Sequence, residues 1–254
     1  MTEGAVEVRH EEGVRWITLN RPPHNILTIA VMRELATALR TAAEDRTVRA
    51  IVLSARGRSF SAGVDVEEHT ADRVYEMMGS FHDLCRTLAW VDVPTVACVQ
   101  GPALGGGCEV VALCDVVVAA EEATFGQPEI RVGVFPPVAA AAFPFLFGKR
   151  GLPPLLTGEI LPARRAQELG LVTEVVPSEH LEEAVRRVVG QLQVHSGAVL
   201  RLAKRAAVGS FRRWFTEALE EAERLYLGEL MSTEDAHEGL RAFLEKRGAS
   251  WKHR

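Results

Sequence analysis

The sequence predicts an α/β fold that ends in an all-helical region. Three observations lead there. Short β-branched runs alternate with helix-length amphipathic patterns over the first two-thirds of the chain, and the strand signal stops after about Ser178. No repeat, low-complexity stretch or flexible linker separates the two parts, so the helical tail is expected to pack on the core or on a neighbouring subunit.

Val6–Arg9 and Val14–Leu19 read as strands, the second alternating Val-Arg-Trp-Ile-Thr-Leu before a Pro-Pro turn. Thr28 is placed to cap a helix running to about Glu44, with Ile29, Met32, Leu35, Ala36 and Leu39 on one face. Ala50–Ser54 is a compact buried strand, followed by the polar loop Ala55–Ser61. A helix from about Ala71 to Trp90 leads through Asp92-Val93-Pro94 to the strand Thr95–Val99. The Gly-rich turn Gly101–Gly107, a short helix from Cys108 and the strand Asp115–Ala120 come next. Beyond Ser178, His180–Val194, Ala198–Val208, Trp214–Gly228 and Thr233–Lys246 read as four helices. The expected division is residues 1–178 as the core with the active site, and 179–254 as a helical region for oligomerisation and pocket closure.

At 254 residues the chain can bury a sizeable core, and 47% hydrophobic with 25% charged residues is the balance of a soluble globule. A net charge of −5 argues against a general nucleic-acid binder, so basic groups that hold an anionic ligand must be local. The polar start Met1-Thr-Glu-Gly has no signal-peptide core, and the longest apolar stretches are too short to span a bilayer, which predicts a cytoplasmic protein without a membrane partner. Cys85, Cys98, Cys108 and Cys114 lack C-x-x-C spacing and are read as reduced thiols. The eight histidines form no H-E-x-x-H, and no metal site is expected. There is also no Walker-type loop, no G-x-G-x-x-G in a first βαβ unit and no G-x-S-x-G elbow.

Two loops remain, each following a strand and opening into a helix: Ser59-Phe-Ser-Ala-Gly-Val-Asp65 and Gly101-Pro-Ala-Leu-Gly-Gly-Gly-Cys-Glu109. A helix start carries N–H groups without intrahelical partners, and glycine admits close approach of the backbone. Two such starts face to face form a pair of donors for one oxygen, the geometry that stabilises an oxyanion or enolate. Consecutive glycines equally serve close backbone packing. Glu109 lies in the first turn of the second helix, and Glu129 sits in Phe125-Gly-Gln-Pro-Glu-Ile130. Each is either a helix-start charge of modest value or an acid–base group with a raised pKa.

Taken with Leu19-Asn-Arg-Pro22, Leu156-Thr-Gly-Glu159, Gly170-Leu-Val172, Val175-Val-Pro177 and Phe243-Leu-Glu-Lys-Arg247, these segments resemble the crotonase, or enoyl-CoA hydratase/isomerase, superfamily over nearly the whole chain. The resemblance implies a crotonase-like spiral of ββα turns with a C-terminal helical region, assembled as homotrimers or homohexamers. It implies an acyl-CoA thioester substrate, with coenzyme A part of that substrate and no other cofactor. It puts the oxyanion donors at Val64 and Gly106, and the coenzyme A contacts at Arg21, His24, Ala62, Asp65, Val66, Phe243 and Lys246. Members resembling hydratases keep both glutamates. By likeness Glu109 activates water for attack at C3 and Glu129 delivers a proton to C2, for fatty acid or aromatic compound degradation.

One stretch departs from the family pattern. Where most hydratases have a Gly-rich helix start, this chain has Gly133-Val-Phe-Pro-Pro-Val-Ala139, and Pro137 has no N–H to donate. That stretch, with Arg21-Pro-Pro-His-Asn-Ile-Leu27, resembles the branch that hydrates cyclohexa-1,5-diene-1-carbonyl-CoA. Phe135, Pro137 and Val138 are accordingly expected to line the acyl pocket. The alternatives are an isomerase, ring hydrolase or decarboxylase on the same scaffold, or a non-catalytic RNA-binding protein, which the acidic balance and the intact glutamate pair oppose.

Overall fold

The computed structural model describes residues 4–69 and 72–254. Strands β1 (Val6–Glu11), β2 (Val14–Leu19), β3 (Ala50–Ala55), β4 (Thr95–Val99), β6 (Val116–Ala120) and β9 (Glu174–Val176) form one six-stranded sheet in that order. β1 and β2 are an antiparallel hairpin; every later pairing is parallel, from Val14 opposite Ala50 to Val118 opposite Glu174. A second sheet holds β5 (Ala103–Leu104), β7 (Thr124–Gly126) and β8 (Ile160–Pro162). Isolated bridges, Leu27 to Val64 and Ser61 to Ala103, extend this layer back to the start of the chain. Each circuit therefore lays one strand in the large sheet, one step in the small layer and then a helix, which is the ββα spiral.

The helices of the core are α1 (Ile29–Glu44), α2 (Val74–Trp90), α3 (Gly106–Ala112), α4 (Pro137–Phe147), α5 (Leu152–Thr157) and α6 (Ala163–Leu169). The Thr28 hydroxyl accepts from the Val31 N–H and starts α1, and the predicted apolar face is buried. The predicted start of α2 at Ala71 lies outside the described residues, as does Met1–Glu3. Ile51 and Leu53 face the main core, while Ala50 and Val52 face a second cluster closed by Leu181, Ala184, Val185 and Val189 of α7 (Leu181–Gln193). Burial on both faces is why β3 reads as an unbroken apolar run.

Past β9 only helices follow: α7, then α8 (Gly197–Gly228) and α9 (Glu234–Leu244), capped by the Thr233 hydroxyl. The two predicted helices Ala198–Val208 and Trp214–Gly228 are a single 32-residue α8, about 48 Å long at 1.5 Å per residue. The Gly209-Ser210 pair suggests a break, but the residues just after it are anchored. The buried Arg212 guanidinium donates to the carbonyls of Ala89 (2.9 Å) and Val91 (3.1 Å) and pairs with Asp92 (2.8 Å). Truncation would strand the Ala89 and Val91 carbonyls and leave Asp92 paired with Arg205 alone. Arg212→Ala is expected to destabilise the protein by about 2–4 kcal/mol, read as a lower urea midpoint with unchanged slope.

The four cysteines are unpaired and sit buried or half-buried. Burial pushes the Cys98 and Cys114 thiols up to about 12, far from thiolate reactivity. Among the described residues no helix is long and apolar enough to cross a membrane.

Candidate active site

A cavity of about 450 Å³ opens where the two Gly-rich loops, α4, α8 and α9 meet. The loops touch: a Cβ built on Gly63 would lie 3.0 Å from the Leu104 carbonyl and 3.4 Å from the Gly106 nitrogen. Gly105 adopts φ 51° and ψ −128°, a region closed to L-residues with side chains, and this bend starts α3 at Gly106. Gly106 is then the first helical residue, where an N–H has no intrahelical acceptor. Val64 is held opposite by the parallel bridge in which Leu27 N–H donates to Gly63 and Asp65 N–H to Leu27. Among the described residues neither the Val64 nor the Gly106 N–H has an acceptor, and both residues line the cavity.

Facing them are two carboxyls. Glu109 is carried inward by α3 and is 3% exposed. Its Oε1 accepts the Ala139 N–H at 2.6 Å. Glu129 sits on the 3-10 turn Pro128–Val132, beside Gly105, where any Cβ would collide with Glu129 Oε1. Its Oε2 is sealed from solvent and has no partner among the described residues. Burial raises the Glu129 carboxyl to about 7. Burial also raises Glu109, and the neighbouring Glu129 charge adds to it, while the Ala139 and Val138 N–H groups act in the opposite direction. Both carboxyls are therefore held protonated more firmly than a free carboxyl, and the two backbone donors at Glu109 oppose that rise. Such a site can stabilise an oxyanion with two N–H groups and pass protons through an acid and a base.

Of the other predicted site residues, Ala62, Val66, Phe135, Pro137 and Phe243 line the cavity. Val138 does not. As the second residue of α4 it turns into the core and is fully buried, so it contributes its N–H to Glu109 and no wall to the pocket. Arg21, His24, Asp65 and Lys246 also lie outside the lining. The Arg21 guanidinium folds back on the Ile26 carbonyl (3.2 Å), and the exposed His24 accepts the Ala62 N–H at its carbonyl (2.8 Å), beside the mouth. Lys246 takes a left-handed φ of 54° at the end of α9, and its neighbour Arg247 lines the cavity instead.

Sequence reasoning passes over His69, Arg131, Tyr226 and Arg247, all in the lining. His69 is tied through Nδ1 to the Asp65 carbonyl at 3.0 Å, and burial lowers its pKa. Tyr226 carried a signal that could have found it: a phenol on the apolar stripe of a helix needs a partner for its O–H.

Residues 9–254 match the enoyl-CoA hydratase/isomerase family. A probable enoyl-CoA hydratase of Mycobacterium bovis is 36% identical over the full length of both chains. A cyclohexa-1,5-dienecarbonyl-CoA hydratase of Thauera aromatica is 37% identical, covering 94% of this chain and 92% of the relative. Among solved structures, an enoyl-CoA hydratase of Mycobacterium avium subsp. paratuberculosis superposes with a TM-score of 0.88 at 30% identity, over 98% of this chain and 99% of that one.

Proposed function

The chain belongs to the enoyl-CoA hydratase/isomerase family and is an enzyme, and on that premise we propose that it adds water across the C2=C3 bond of an α,β-unsaturated acyl-CoA. The observation that carries this reading is the pair of buried carboxyls set against two free backbone N–H groups in one cavity. In the proposed cycle the Val64 and Gly106 N–H groups receive the thioester oxygen. Glu109 takes a proton from water as the water oxygen bonds C3, and the C2=C3 electrons move toward the thioester oxygen. Glu129 then gives its proton to C2, and the enolate collapses to the 3-hydroxyacyl thioester. An isomerase would need only one carboxyl to shuttle a proton, so the pair favours hydration. Crotonyl-CoA tests this: the expected product is heavier by one water, and an isomerised product of unchanged mass would replace the reading.

For coenzyme A, we place its chain along Ala62, Val66 and Phe243, with Arg21 and His24 at the mouth for its phosphates. We assign Asp65 and Lys246 to the same coenzyme A site, although neither lines the cavity itself. The exposed Phe145, Leu146 and Trp214 fit a homotrimer or homohexamer, which sedimentation at several concentrations would read. We propose that the protein works in the cytoplasm.

The finer proposal concerns the acyl group. Phe135, Pro136 and Pro137 line the acyl end, and two prolines fix φ at adjacent positions. Tyr226 meets Phe135 edge-on, with centroids 5.3 Å apart. A stiff aromatic wall favours a compact ring over a chain that must lose rotamer freedom. The likeness to the Thauera enzyme supports the same reading. A higher kcat/KM is expected for cyclohexa-1,5-diene-1-carbonyl-CoA than for a long-chain enoyl-CoA. No hydration of the ring beside fast turnover of crotonyl-CoA would remove the ring substrate and leave the hydratase.

A further inference from the structure

Beyond the candidate active site, a second hollow of about 450 Å³ lies between α4 and α8. It is bounded by Ala140 and Ala141 of α4 and by Trp214, Ala218, Ala222 and Leu225 of α8. Its polar side chains are Glu217 and Glu221, both exposed. Among the described residues, Phe135 alone borders both this hollow and the active-site cavity. The two spaces therefore meet at one residue.

Both helices run from one space to the other. Pro137 borders the active-site cavity, and Ala140 and Ala141, one turn further along α4, border the outer hollow. On α8, Tyr226 borders the inner cavity, while Ala222 and Ala218, four and eight residues back on the same face, border the outer one. Trp214, part of the surface assigned above to a subunit contact, stands at the far end, about 18 Å along α8 from Tyr226. Its Nε1 donates to the Ala141 carbonyl at 3.0 Å and holds the two helices together there. The four alanines leave the space between these ends open. What interrupts it is the aromatic pair, Phe135 edge-on to Tyr226 with centroids 5.3 Å apart. Tyr226 is 1% exposed and anchored in the core, whereas Phe135 is half-buried and precedes the first residues of α4. Phe135 is thus the partition, and Tyr226 braces it.

We propose that Phe135 sets the acyl-length limit of this protein: its ring ends the acyl site, and the alanine groove behind it is the path a longer alkyl tail takes once that ring is gone. An alkyl tail has no polar atom to leave unpaired in such a groove, and each methylene taken from water favours binding. The inference rests on the reading of the cavity as an acyl-CoA site, and adds to it the residue that decides which acyl groups fit.

The test is binding of two saturated thioesters, butanoyl-CoA and decanoyl-CoA, followed by isothermal titration; neither has a double bond to hydrate. The native protein is expected to gain little from the longer tail. Phe135→Ala is expected to bind decanoyl-CoA at least about 10-fold tighter than butanoyl-CoA, since each buried methylene contributes about fourfold. Phe135→Leu keeps an apolar side chain in place and should move the ratio the same way by less, so it carries the test if the alanine variant does not fold. Ala222→Leu added to Phe135→Ala refills the groove one turn beyond Tyr226 and should return the ratio toward the native one. A ratio unmoved in both Phe135 variants, with butanoyl-CoA still bound, overturns the proposal and leaves the acyl-CoA reading standing. A gain that survives Ala222→Leu also overturns it, because the tail would then lie in the enlarged inner cavity. A native protein that already prefers decanoyl-CoA by the same factor overturns it too, as Phe135 would be no barrier. Failure of both thioesters to bind any of these proteins rejects the acyl-CoA reading and the proposal with it. A moved ratio in a protein that does not hydrate crotonyl-CoA keeps the partition and rejects hydration alone.

Discussion

Glu109→Gln and Glu129→Gln are each expected to lower enoyl-CoA turnover by about two to four orders of magnitude, with thioester affinity largely kept. Isothermal titration with a non-reactive thioether analogue, beside steady-state kinetics, separates the two quantities. Near-normal turnover in either variant would remove that residue from the mechanism. Glu129→Gln should also change stability, in the opposite direction to activity. The folded carboxyl is raised to about 7 from an ordinary value of 4.5, so the folded state holds the proton more tightly than the unfolded chain. Below pH 4.5 both states are protonated and the group adds no cost. As pH rises from there to 7, stability declines, and above 7 a constant penalty of about 3 kcal/mol remains. The amide carries no such penalty. Its melting temperature is therefore expected to exceed that of the native protein at pH 8 and to match it near pH 4.5. The reverse order would mean that Glu129 is ionised without cost, and the burial argument for its acid role would fail.

The second large effect is expected at Gly106. Gly106→Pro deletes the N–H that faces the cavity and should lower kcat by about 100- to 1000-fold. Proline is sterically suited to the first turn of a helix, but any Cβ here would also approach the Val64 side chain to 2.8 Å and the Phe81 ring to 3.0 Å. Gly106→Ala carries the same crowding and keeps the donor. The excess loss in the proline variant over the alanine variant measures the hydrogen bond. Equal losses would place the cost in crowding and withdraw Gly106 from oxyanion stabilisation. Val64→Ala should be mild, since only its backbone is proposed to act.

The elements most legible in the sequence are those whose local pattern and tertiary role agree. Thr28 caps α1 as its hydroxyl position suggests, and β2 reads as a strand because Val14 and Trp16 pack toward α7 while Ile17 and Leu19 pack into the main core, with only Arg15 and Thr18 half-buried. The two glycine loops were legible because φ beyond 0° at Gly63 and Gly105 leaves glycine little competition. Less legible were β5, β7 and β8, which are two or three residues long and too short to show alternation. The continuity of α8 depends on Arg212 reaching the carbonyls of another element, a contact with no local signature. Val138 illustrates a different limit. Nearness in sequence to Glu129 suggests a pocket wall, but the helical phase set by Pro137 sends its side chain to the core. Tyr226 reaches the cavity only because α8 crosses α4, and sequence distance hides that meeting.

The large sheet has one further consequence. Its strands lie side by side in the order in which they are synthesised, from the β1–β2 hairpin to β9. A chain emerging from the ribosome can therefore grow by accretion, each new strand docking on the edge left by the last one, without threading between strands already paired. Closing each parallel pair requires a full crossover, so every addition is slow relative to a hairpin. Until β9 arrives, the edge of β6 offers Val118, Ala119 and Ala120 to any partner that reaches it first. The last strand is thus a stopper as much as a support, and shortening the wait for it is the natural point of action for a chaperone.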